Sequence, residues 1–117
     1  MVKSRHNIKA LKIENDAIIN NIITKYLNEL KKRNINVISA YLFGSYAKGN
    51  ATEWSDIDLA IIVNKFIGDE FDFQALLNKI IVEIKLYDIE AHPFLEEEFD
   101  RTNPFVLEIL KTGKKIL

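Results

Sequence analysis

The chain has 117 residues, 48% hydrophobic and 28% charged, a length that suits one domain (1–117) with a core of its own. It has no cysteine, which excludes thiol catalysis, cysteine-ligated zinc, iron–sulfur clusters and disulfides. Its two histidines, His6 and His92, are too few for a multi-histidine metal site. A net charge of -1 provides no global field toward nucleic acid or membrane.

Residues 1–14 are basic and irregular and read as a loose lead-in without a signal-peptide run. No stretch approaches the roughly 18 apolar residues of a membrane span, so the expected setting is cytoplasmic. Charge is uneven along the chain. Residues 1–50 carry nine Lys/Arg and three Asp/Glu, a balance of +6, and residues 51–117 carry seven and fourteen, a balance of -7. An acidic half is either solvated surface or a set of carboxylates gathered around a cation, and their spacing decides between the two.

Ile19, Ile22, Ile23, Tyr26, Leu27 and Leu30 recur at helical spacing behind a cap at Asn15 or Asp16, and Lys31-Lys32-Arg33 suits the helix end. Residues 35–43, INVISAYLF, are apolar on both faces and read as a central strand. The glycine-bearing stretch 44–55 reads as a loop or one short helical turn. Residues 56–63, DIDLAIIV, form a second strand that Gly68 breaks, and Asp69 caps a helix carrying Phe73, Leu76, Leu77, Ile80, Ile81 and Ile84. Residues 85–91 read as a third strand stopped by Pro93, and Glu96 to Asp100 as a short acidic helix. Asn103-Pro104 opens a last helix that Gly113 closes. The order describes an α+β fold, a small sheet flanked by helices.

Asp56 and Asp58, two apart at a strand start, share a face. Held side by side they repel, and one must protonate unless a cation neutralises the pair; hard divalent ions with oxygen ligands, Mg²⁺ above all, suit it. An isolated pair of this kind is common as a strand start with a capping aspartate. Here, however, Gly44-Ser45 follows the first strand, and ten residues separate Ser45 from Asp56. Glycine lets a phosphate approach the backbone, the serine hydroxyl and successive N–H groups can cradle it, a helical turn at 45–49 adds a favourable dipole, and Lys48 offers a charge.

The run LFGSYAKGNATEWSDIDLAIIV resembles the signature of the DNA polymerase β-like nucleotidyltransferase superfamily: Gly-Ser, about ten residues, then Asp-x-Asp between two strands. The short length resembles the minimal nucleotidyltransferase branch, related to kanamycin nucleotidyltransferase. The tail IEAHPFLEEEFDRTNPFVLEILKTGKKI also resembles the ends of its small members. The resemblance implies a polymerase β-like palm with a mixed sheet. It implies Mg²⁺, two ions, held by Asp56, Asp58 and a third carboxylate, with Gly44 and Ser45 at the phosphates of ATP. An acceptor hydroxyl then attacks the α-phosphorus and pyrophosphate leaves. For the third carboxylate, an antiparallel third strand brings Glu90 nearest Asp56 and a parallel one brings Asp88. The tail resemblance favours Glu90.

The resemblance also implies a partner. In the minimal branch the acceptor is often a small helical HEPN-type protein, the two acting as antitoxin and toxin. Rival readings are an enzyme modifying a small molecule of the aminoglycoside class, with an acceptor pocket shared across a homodimer, and a non-catalytic binding module. Trp54 reads first as a residue that packs on the fold, with stacking on a base as the lesser reading; Tyr46 reads equally as a contact to sugar or phosphate and as a cover for the core, His92 as a hydrogen-bonded surface histidine, and Glu96-Glu97-Glu98 as a solvated face. Lys31-Lys32-Arg33 is too small for a nucleic-acid footprint.

Overall fold

The computed structural model describes residues 16–117. The expected lead-in at 1–14 and the cap at Asn15 lie outside them. Helix α1 runs over Asp16–Lys32, strand β1 over Val37–Phe43, and the short helix α2 over Ser45–Lys48. Strand β2 spans Ile57–Val63, helix α3 Glu70–Glu83 and strand β3 Ile89–Leu95. A 3₁₀ turn at Glu96–Glu98, helix α4 at Pro104–Thr112 and the two-residue strand β4 at Lys114–Lys115 complete the order. The sheet order is β3-β2-β1-β4. β1 runs antiparallel to β2 and to β4, and β2 runs parallel to β3, so the sheet is mixed, as expected.

Each face of the sheet has its own cover. Leu59 and Ile61 of β2, with Leu42 and Ala91, meet α1 and α3 through Ile23, Tyr26, Phe73 and Leu77 in one buried cluster. The opposite face carries Phe43, Ala60 and Ile62 against Ile109 of α4, with Tyr41, Phe94 and Phe99 beside them. This is why β2 has no polar alternation except at Asp58: both of its faces are covered. Across the first cluster the Tyr26 hydroxyl donates to the Leu77 carbonyl at 3.1 Å. At the ends of the same two helices Arg33 bridges Glu29 at 3.0 Å and Glu83 at 2.6 Å.

The third strand departs from its expected position. It begins at Ile89 and runs through Pro93, where residues 85–91 stopped by Pro93 were expected. Residues 84–88 instead finish α3: the Leu86 N–H donates to the Ile81 carbonyl, and Lys85 takes a left-handed φ of 60°. Proline is tolerated because β3 is the edge of the sheet, where a missing N–H removes no second ladder. β4 was not expected; two polar lysines carry no strand pattern. It forms because Gly113 lets the chain pass close to β1, where a Cβ would come within 3.0 Å of the Leu42 carbonyl oxygen.

Asp69 caps α3 as expected, accepting from the Asp72 N–H while the Asp72 carboxylate accepts from the Asp69 N–H. Such an exposed capping box is worth about 1 kcal/mol. Asp69→Ala is expected to lower the unfolding free energy by that amount, read in urea denaturation as a lower midpoint with an unchanged slope.

Candidate active site

The site forms where three strands end in register. Phe43 of β1 lies opposite Asp58 of β2, and Asp58 lies opposite Glu90 of β3. Facing residues in neighbouring strands project to the same side, so Phe43, Asp58 and Glu90 make one row across the sheet. Two residues along β3, His92 projects on that side too, level with Ala60. The alternate residues Ile57 and Ile89 turn to the opposite face and are buried there.

β3 runs parallel to β2, the direction under which Asp88 was expected to be nearer Asp56. The register places Glu90 beside Asp58, while Asp56 and Asp88 each lie two residues outward, just before their strands begin. There the Ile57 N–H donates to the Asp88 carbonyl at 2.8 Å, which ties the two chain segments together.

Gly44 closes the row from above. Its φ of 71° and ψ of −149° lie in a region essentially reserved for glycine. A Cβ here would overlap the Asp58 carboxylate oxygen Oδ2 and come within 3.3 Å of Cγ. The chain then winds directly into α2, where the Ala47 and Lys48 N–H groups both donate to the Gly44 carbonyl at 3.1 Å. The stretch 45–49 is therefore the helical turn that was one of its two expected forms, stopped by Gly49 in the left-handed conformation.

The remaining side chains fill in the surroundings. His92 Nε2 lies 3.2 Å from Asp58 Oδ1, as a hydrogen bond the carboxylate accepts, and 3.7 Å from Glu90 Oε1. The Asp58 and His92 side chains are 24% and 27% exposed, and that of Glu90 is 56% exposed, so the row opens to solvent on the Glu90 side. The Tyr46 hydroxyl is buried without a hydrogen-bond partner among the described residues. Burial raises its pKa, and the negative charges of Asp88 and Asp56 raise it further. Lys48 points to α4 and pairs with Glu108 at 3.4 Å, a half-exposed contact of little strength. Trp54, expected to pack on the fold, is 67% exposed.

The donor atoms of Asp58, Glu90 and His92 all lie within 4.8 Å of one another, a spacing that fits a divalent cation. The space under Gly44 that a side chain would fill and the charge of the donor set both agree with such an ion. Sequence reasoning left His92 out of this group. Its signal was present, since Glu90 and His92 are two apart on a strand, but only the parallel register brings both to Asp58.

A mixed sheet with Gly-Ser directly after its first strand and Asp-x-Asp at the mouth of its second is the arrangement of a nucleotidyltransferase. The family model of the nucleotidyltransferase domain matches residues 23–116, and the chain belongs to that family. A Methanocaldococcus jannaschii protein named "Putative protein adenylyltransferase" is 37% identical over 108 residues, covering 87% of this chain and 73% of its own. Two solved structures share the fold. One, a "putative nucleotidyltransferase" of Sulfolobus solfataricus, is 21% identical with a TM-score of 0.61 over 80% of this chain and 79% of its own. The other, a toxin-antitoxin solved with AMP-PNP, is 26% identical with a TM-score of 0.57 over 84% of this chain and 72% of its own.

The contact between Gly44 and Asp58 can be measured. Gly44→Ala is expected to destabilise the protein by about 1–3 kcal/mol from backbone strain, with the clash added. In Asp58→Ala the clash partner is gone. A double-mutant cycle followed by chemical denaturation should therefore show Gly44→Ala costing clearly less in the Asp58→Ala background.

Proposed function

We propose that this nucleotidyltransferase moves AMP from ATP to a hydroxyl group on a partner protein in the cytoplasm, and that the partner is the toxin whose activity this modification controls. The single observation that carries the reading is the row beneath Gly44: Asp58 beside Glu90, with Asp56 two residues outward, under a backbone stripped of its side chain. The names of the similar proteins support the donor and the setting, one a protein adenylyltransferase and one a toxin-antitoxin with an ATP analogue. A small helical protein of the HEPN type is the acceptor we propose, as the resemblance to the minimal branch implies.

Each residue then has a task. Gly44 admits the triphosphate to the backbone, and Ser45 and Lys48 hold its oxygens, Lys48 leaving its weak pair with Glu108 to do so. Asp56, Asp58 and Glu90 hold two magnesium ions. Bound there, magnesium would supply charge neutralisation for the triphosphate and for the charge that develops during transfer. The acceptor hydroxyl gives up its proton to water as its oxygen attacks the α-phosphorus in line, the bond from that phosphorus to the bridging oxygen breaks, and pyrophosphate leaves with the electron pair. The chain's own contribution is positioning and fixed charge.

The test is incubation with α-labelled ATP, Mg²⁺ and the candidate partner, read by intact mass. The partner should gain one AMP. Asp56→Asn with Asp58→Asn should keep the fold, because it removes repulsion, and lose transfer by about two orders of magnitude or more. Glu90→Gln should cost far more than Asp88→Asn. Transfer that survives in the double mutant overturns the site. Efficient modification of an aminoglycoside, with every protein ignored, overturns the acceptor.

A further inference from the structure

We infer that His92 is a direct ligand of the cation held by Asp58 and Glu90. The resulting nitrogen-and-oxygen site binds a first-row transition cation more tightly than magnesium. The inference rests on the reading that these two carboxylates hold a cation. It adds to that reading a residue, and with it a larger preference for the transition cation than carboxylates alone confer.

Geometry comes first. Neighbouring ligands around an octahedral cation of this size stand about 3 Å apart, and opposite ligands a little over 4 Å. His92 Nε2 is 3.2 Å from Asp58 Oδ1 and 3.7 Å from Glu90 Oε1, and the three donor atoms span at most 4.8 Å. A histidine serving only to orient Asp58 would need one carboxylate; this nitrogen faces two.

The ring is also held in place. Phe43 meets it edge-on, with centroids 4.9 Å apart and planes at 63°, and Phe105 stands 6.3 Å away. Pro93 fixes the backbone immediately after it. Nε2 is thus presented to the acids by packing. A ligand already oriented by packing forfeits little conformational freedom when it binds. An imidazole favours borderline transition cations, while magnesium favours oxygen donors and retained water.

Manganese is the probe, because its unpaired electrons report the nuclei bound to it. The full chain is titrated with Mn²⁺ alone and followed by electron paramagnetic resonance, with magnesium affinity read by competition. The wild-type complex should show spin-echo modulation from a coordinated ¹⁴N nucleus, a readout that needs no variant. His92→Gln should abolish that modulation and weaken Mn²⁺ by about tenfold or more, while Mg²⁺ affinity changes by about twofold at most. Asp58→Asn should weaken both cations. If Asp58→Asn weakens both but no nitrogen modulation is seen in wild type, His92 only hydrogen-bonds Asp58 and the inference falls while the site stands. If modulation persists in His92→Gln, the nitrogen is another residue's and the inference falls. If Asp58→Asn leaves Mn²⁺ binding unchanged, the underlying site reading falls as well.

Discussion

The structure turns on one close approach, the backbone of Gly44 against the carboxylate of Asp58. It joins the end of β1 to the start of β2 with no room for a side chain between them. The register Phe43↔Asp58 sets it, and that register is fixed by the burial of Leu42 and Leu59 on one face and Phe43 and Ala60 on the other. A slip of one residue would turn Asp58 into the core and an isoleucine to the mouth. The apolar core therefore enforces the position of the acid.

The acids themselves oppose the fold. Asp56, Asp58, Asp88 and Glu90 are brought to one end of a parallel strand pair by pairing that buries Ile57 and Ile89. Their mutual repulsion is tolerable because the row opens to solvent at Glu90 and because His92 donates a hydrogen bond to Asp58. A cation bound at the row would relieve what remains. Stability and function thus share one set of charges, and neutral variants at these positions separate the two.

On the α4 side, aromatic packing supports the same site. Phe43, Phe94, Phe99 and Phe105 contact one another or His92 edge-on or tilted, giving the imidazole a rigid wall. Asn103 caps α4 and accepts from the Phe105 N–H at 2.9 Å, so the helix start holds one of those rings. A cap some forty-five residues away from Asp58 in sequence therefore helps to orient the site.

Much of this was legible in the chain. The helical stripes of α1 and α3, the apolar β1 and β2, and the caps at Asp69 and Asn103 follow from periodicity and local hydrogen bonding, which depend on neighbours in sequence. Gly44-Ser45 and Asp56-x-Asp58 are likewise local, and their spacing reads as a candidate site from the sequence alone. The limits of β3, the existence of β4 and the place of His92 are another matter. Pro93 stays in a strand because β3 is an edge, and β4 forms because Gly113 passes against β1. Glu90 and His92 reach Asp58 because β3 runs parallel in one register. Which strand lies at an edge, and which residues face each other across a ladder, are set by how the whole sheet buries its two faces, and no window of sequence contains that.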